Sequence, residues 1–185
     1  MCLVLTLTAG LTSCDRERGV EAAREDRPAA VLQSEQEFMM KATQANLTEI
    51  AGARSALQKS ANDEVKEYAN MIKSDHTSAL EDLTDLMKDK NVAQPKTIDA
   101  RTQQDIDRMN NLTGGEFDRE FINMMVSDHQ KAIELFRDQQ TSSQDQDVKK
   151  YVDKVLPNLE VHLDTAQRLQ TKLFSAAANR SPATR

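Results

Sequence analysis

Tryptophan is missing from the chain, and aromatic residues make up only 4% of it. That leaves no platform on which bases or sugars could stack. Glycine (5) and proline (4) are scarce, which excludes a loop-rich fold and leaves no glycine-rich phosphate loop. The two cysteines are Cys2 and Cys14. The remainder of the chain therefore has no disulfide framework, no nucleophilic thiol and no motif for covalent haem attachment. Basic residues are outnumbered, with a formal net charge of −6 and a pI near 5.2, which argues against a nucleic-acid partner because phosphate binding needs a basic face. What remains is rich in Ala, Leu, Glu, Lys, Gln and Met, the composition of an all-α protein. Its 185 residues suffice for one domain with a substantial core.

The one long apolar run is N-terminal. Residues 1–13, MCLVLTLTAGLTS, carry no charge, and the polar stretch CDRERGVEAAREDR follows. The run is too short to cross a bilayer and reads as the hydrophobic region of a signal peptide. No Lys or Arg precedes it, which is consistent with a start codon further upstream. Leu11-Thr12-Ser13-Cys14 resembles a bacterial lipobox, implying cleavage before Cys14 and lipidation of that cysteine. The protein is then expected to be exported and held on the periplasmic side of a bacterial membrane by lipid chains, or to lie free in the periplasm. Asp15, next to the cysteine, is in some lipoproteins associated with inner-membrane retention. Residues 14–33 are charged and Ala-rich and read as a flexible tether. Residues 34–174 are expected to form the folded domain, and 175–185 a disordered tail.

Four segments show apolar residues at spacings of three, four and seven: 35–59, 61–90, 114–140 and 144–175. Such spacing puts one wide apolar face on each helix, as in a packed bundle. Pro157, inside the fourth, is expected to kink it one turn before His162. Each segment is preceded by a Ser or Thr matched three residues later by an acid or amide: Ser34 with Glu37, Ser60 with Asp63, Thr113 with Glu116, Ser143 with Gln146. These pairs read as capping boxes. Segments one and two are joined almost directly, as are three and four. Residues 91–113 connect the two hairpins and contain a short helix around 98–112. A helix of some 27 residues is roughly 40 Å long, a span that this connection can cover. The expected architecture is an antiparallel four-helix bundle of the ferritin-like kind, with a long crossover between the second and third long helices.

Near the midpoint of each long helix, on the otherwise apolar face, stands one residue able to bind a metal: Glu49, His76, His129 and His162. The last three are the only histidines in the chain. Glu49 lies fifteen residues after its predicted cap, His76 and His129 sixteen, and His162 nineteen, so all four should share one layer. Segments 68–76 (YANMIKSDH) and 121–129 (FINMMVSDH) echo one another, giving the second and third long helices equivalent roles. Polar groups in a core are costly unless paired or bound to an ion. One reading is a site for a divalent transition metal (Zn, Mn, Fe, Ni or Cu) on three imidazoles and a carboxylate. Asp75 and Asp128 would then accept imidazole N–H groups from neighbouring helices. The other reading is a hydrogen-bonded polar layer that fixes helix register without metal. Thioethers of Met71, Met124 and Met125 near the layer keep copper among the options, and inward histidines keep a non-covalent haem.

Several stretches resemble a bacterial family of exported proteins, domain of unknown function 4142. They are ANLTEI (45–50), MIKSDH (71–76), GEFDREF (115–121), VSDHQ (126–130) and LPNLEVHL (156–163). The likeness spans about 35–173. It implies a ferritin-like bundle and an envelope location, and the family is often labelled as outer membrane proteins; it implies no activity. The residues three before each histidine are Lys73, Val126 and Leu159, so the paired Glu-x-x-His motifs of di-iron bundles are missing and a ferroxidase site is not expected. Three functions stand open: a metal-binding module, a structural or interaction protein of the envelope, and an enzyme using an open metal position. The third requires a channel from solvent to the histidines.

Overall fold

The computed structural model describes residues 33–178. The expected signal peptide, Cys14 and the expected tether up to residue 32 lie outside them, as does the tail beyond 178. The described residues form five helices: α1 (Gln33–Lys59), α2 (Asp63–Asp89), α3 (Ala100–Asn110), α4 (Gly114–Ser142) and α5 (Gln146–Ala178). Among these residues there is no strand and no helix long and apolar enough to cross a membrane. The four long helices form the ferritin-like bundle, and α3 is the short helix of the crossover. Helix α5 runs unbroken through Pro157 and continues to Ala178, four residues into the segment expected to be a tail.

The helix starts differ from the capping boxes read in the sequence. Asn62, not Ser60, caps α2: its side-chain oxygen accepts from the backbone N–H groups of Glu64 and Val65 at 3.0 and 3.4 Å. At α5 the same work falls to Asp145, which accepts from Asp147 and Val148. Thr113 stands at the cap of α4 but makes no side-chain capping bond, and Ser34 lies inside α1, which begins at Gln33. In each interhelical turn a Ser is followed two residues on by an Asn or Asp, which also caps well. The side chain nearer the first turn reaches the free N–H groups, and Ser60 and Ser143 are left to bond within the turn.

Buried Glu35 fixes how the two hairpins meet. From the start of α1 its Oε1 accepts from Ser143 Oγ at 2.5 Å and from the backbone N–H groups of Gln144 and Asp145, both at 3.0 Å. The beginning of α1 therefore lies against the α4–α5 turn, which makes α1 antiparallel to α4. Lys90, just past α2, pairs with Asp145 and Asp147 at 2.5 and 3.0 Å, bringing the end of α2 to the start of α5. Around the bundle each helix packs against two antiparallel neighbours, in the order α1, α2, α5, α4. The crossover must consequently travel the length of the bundle. It does so along α1 and α4, where Gln44 holds it by bonding Thr97 O and the N–H of Asp99, the N-cap of α3.

Two apolar clusters fill the interior. One contains Phe38, Leu83, Met87, Phe136, Tyr151 and Val152; the other contains Val65, Tyr68, Ile72, Phe117, Phe121 and Met125. Between them, at mid-height, lies a layer of buried polar side chains. Beside it Gly52 on α1 leaves room for the end of the Met124 side chain from α4, whose Cε would lie 2.6 Å from an added Cβ.

Replacing Glu35 with Ala removes the buried acceptor shared by the Ser143 hydroxyl and the Gln144 and Asp145 N–H groups, and leaves Asp145 N–H only the Ser143 oxygen. We expect a loss of about 2–3 kcal/mol, read as a lower urea midpoint with an unchanged denaturant slope.

Candidate metal centre

Antiparallel neighbours that start at common ends bring their midpoints to one height. As a result Glu49, His76, His129 and His162 meet in that polar layer, each at most 3% exposed. The three rings form a nearly equilateral triangle, with centroids 5.3–5.4 Å apart. One nitrogen from each ring lies within 4.8 Å of the other two, so the trio could hold a metal ion.

The partners of each ring decide which nitrogens carry hydrogen. Asn46 Nδ2 donates to Ala42 O, leaving Asn46 Oδ1, an acceptor, 3.0 Å from His76 Nδ1; that nitrogen is the donor. His129 Nδ1 lies 2.8 Å from the carbonyl of Met125 and is likewise the donor. His162 Nε2 lies 3.0 Å from the carboxylate of Asp75 and donates to it. In its neutral form an imidazole has one N–H, and with these partners the nitrogens left to offer a lone pair to an ion are His76 Nε2, His129 Nε2 and His162 Nδ1. Two of these face each other at 3.3 Å, and the third is buried with no partner. Facing lone pairs repel unless a cation stands between them. Imidazole nitrogens bound tetrahedrally at about 2.0–2.1 Å are roughly 3.3–3.4 Å apart, which matches the closest pair here.

Glu49 takes a place other than that expected of a ligand. Its Oε2 is 2.8 Å from His76 Nδ1 and its Oε1 3.3 Å from His129 Nδ1, so it stands behind two rings, on their N–H edges. The His76 Nδ1 hydrogen is shared between Glu49 Oε2 and Asn46 Oδ1, whereas that of His129 is directed at the Met125 carbonyl. Burial by itself would raise its pKa. The charge of His76 and His129 outweighs burial and holds the carboxyl down to about 2. Glu49 is therefore ionised only because positive charge is beside it, whether imidazolium or a metal on the imidazoles. His162 is pushed down to about 4 by burial and by the charge of His76 and His129, against the pull of Asp75, and is neutral at pH 7.

Asp75 thus occupies the position read for it, orienting a ring across helices. Asp128 does not. It pairs with Lys131 at 3.0 Å on its own helix and touches no histidine, while burial raises its pKa against the pull of Lys131. Asn46 was not foreseen as a site residue. It lies three residues before Glu49, on the same inward face, and that spacing was its only signal. Solvent comes near the layer on two sides. A cleft of about 80 Å³ between α2 and α5 is lined by His76 and His162 themselves, along with Asp75, Ser78, Asp82 and Lys154. A groove of about 340 Å³ between α1 and α4 is lined by Lys41, Gln44, Thr48, Glu49 and Asp128 among others.

Residues 20–169 match the model of a family described as Domain of unknown function (DUF4142). No curated protein matches the sequence. Among solved structures, the crystal structure of a DUF305 fragment from Deinococcus radiodurans is similar, with a TM-score of 0.68 at 13% sequence identity over 77% of this chain and 98% of that one. At that identity the likeness concerns the helical fold alone.

In the metal-free protein, stability should fall as pH drops from about 6.5 towards 4. Unfolded His162 takes up its proton at the ordinary value of 6.5, whereas folded His162 resists it until about 4, so acid favours the unfolded chain in that window. Glu49, lowered from 4.5 to about 2, extends the loss below pH 4.5. Urea midpoints between pH 8 and 4 measure this, and His162→Gln should flatten the upper part of the curve.

Proposed function

We propose that this chain, which belongs to the DUF4142 family, is a metal-binding module of the bacterial cell envelope. It would hold one divalent first-row transition ion on His76, His129 and His162. The observation that carries this reading is the convergence of three buried imidazoles, one nitrogen of each within 4.8 Å of the other two, beside a buried carboxylate. Each ring has its other nitrogen occupied by an acceptor from the protein: Asn46, the Met125 carbonyl and Asp75. That arrangement leaves the other nitrogen of each ring available to an ion held among the three. A layer built only for packing would pair those nitrogens with donors, and His76 Nε2 has none. The donor set excludes Ca²⁺ and Mg²⁺, which take oxygen ligands. With three imidazoles, Zn²⁺, Cu²⁺, Ni²⁺, Co²⁺ and Fe²⁺ all suit the site. Glu49 supplies the counter-charge that makes a dication welcome in an apolar core, and a fourth coordination position is left over.

Export and lipid attachment at Cys14 are supported by the apolar run 1–13 and the Leu-Thr-Ser-Cys sequence that ends it. Lipid chains there would place the bundle at the membrane surface on a tether of some twenty residues. A packing-only protein of the envelope is the competing reading, and metal analysis separates the two.

Untagged full-length chain, stripped and reloaded with Co²⁺ or Zn²⁺, should retain one ion per chain and show the visible bands of tetrahedral Co²⁺. A metal at a hundred times its Kd should add about 2.7 kcal/mol of stability. His129→Ala should abolish retention, and Glu49→Gln or Asp75→Asn should weaken affinity about 10- to 100-fold. A stoichiometry near zero after reloading would overturn the metal reading. Separately, Cys14→Ala should shift the protein from the membrane fraction to the soluble one, and an unchanged distribution would rule out the anchor.

A further inference from the structure

Resting on the metal reading above, we propose that the ion enters and leaves through the cleft between α2 and α5. In this route Asp82 receives the incoming cation, and Lys154 is the resident charge the cation must displace. The α1–α4 groove, though larger, ends on Glu49, where His76 and His129 present their N–H edges. A cation arriving there meets no free lone pair on either ring. The α2–α5 cleft is lined by two of the three ligand rings, one of them carrying the buried, partnerless His76 Nε2.

The cleft's dimensions and chemistry suit an ion. At about 80 Å³ it admits a few waters or a partly hydrated metal, and is well below the several hundred Å³ of an organic ligand site. Along one face of α2 its acids, Asp82 and Asp75, stand seven residues apart and are about equally exposed, at 40% and 39% of their side chains, with His76 beside Asp75. Two helical turns separate them, so Asp82 stands about 10 Å along the helix from Asp75. Asp75 already holds His162 Nε2 at 3.0 Å. Asp75 therefore touches the ligand rings, and Asp82, paired with Lys154, is the acid free to receive an arriving cation.

Lys154 on α5 spans the mouth, its Nζ 2.7 Å from Asp82 Oδ2, with side-chain exposures of 66% and 40%. An ion pair this exposed is weak, because water screens both charges. A divalent cation, carrying twice the charge of an ammonium group, can take the carboxylate from it. Lys154 then acts as a competitor that slows traffic without changing the site itself, because it contacts none of the histidines. A group acting only on the path changes entry and exit by the same factor and leaves Kd alone.

Stopped-flow loading of the full chain with Co²⁺, followed by the visible absorbance of the bound ion, tests this. Asp82→Asn should slow loading at least about fivefold, and Lys154→Ala should speed it by a similar factor. Release rates should move in parallel, leaving Kd within about twofold. Lys154→Glu, which adds an acid at the mouth, should load at least as fast as Lys154→Ala, while Asp128→Asn on the opposite groove should match wild type. Loading that is unchanged in Asp82→Asn and Lys154→Ala would overturn the proposal, as would slowing by Asp128→Asn. A loading rate that changes while release stays at the wild-type value, so that Kd moves with it, would also overturn it. If wild-type protein takes up no Co²⁺ at all, the metal reading fails first, and the two failures are told apart in the same cuvette.

Discussion

A carboxylate with no exposed surface, ionised in the middle of an apolar bundle, is the constraint around which the rest of this structure is arranged. Glu49 cannot stay charged there unless positive charge is adjacent, and the only groups able to supply it, directly or by binding an ion, are the three histidines of the chain. Each ring is pinned by a different acceptor, one a side-chain amide, one a main-chain carbonyl and one a half-exposed carboxylate. These acceptors occupy the outward nitrogens and leave the inward ones bare. The positive charge that offsets Glu49 has to come from these rings, either as protons on His76 and His129 or as an ion held among the three.

The fold serves this layer by controlling height and proximity. Two short-turn hairpins fix α1 against α2 and α4 against α5. Glu35 and Lys90 join the hairpins at one end, so all four helices are in register there, and the layer lies thirteen to sixteen residues from that end of each helix. Gly52 on α1 makes room for the Met124 side chain of α4 next to the layer. Apolar clusters above and below the layer supply the burial energy that a polar midsection withholds. The crossover returns along the α1–α4 side, leaving the α2–α5 side without an added helix, and there the cleft reaches the rings.

Much of this was legible from residue spacing. Three-and-four periodicity placed Glu49, His76, His129 and His162 inward, and counting from the turns placed them level, because helical rise is constant. The long helices were found to within a few residues of their ends, and the length of segment 91–113 pointed to a crossover. The caps were misread because Ser-x-x-acid and the Asn or Asp two residues later are both adequate capping signals, and only the local backbone path chooses between them. Asp75 and Asp128 occupy equivalent places in the 68–76 and 121–129 echo, yet only Asp75 reaches a ring. Its neighbour α5 presents His162 across the interface, whereas Asp128 faces the α1–α4 groove and turns to Lys131.

Sequence by itself determined the all-helical bundle, its connectivity and the identity of the four residues in the polar layer, since these follow from periodicity, chain length and composition, which are local properties. Tertiary structure decided the role of each. It moved Glu49 from ligand to counter-charge behind the rings, brought in Asn46, and chose which nitrogen of every histidine is bare. A side chain's protonation and direction depend on what the neighbouring helix offers within about 3 Å, and that information exists only once the helices have packed.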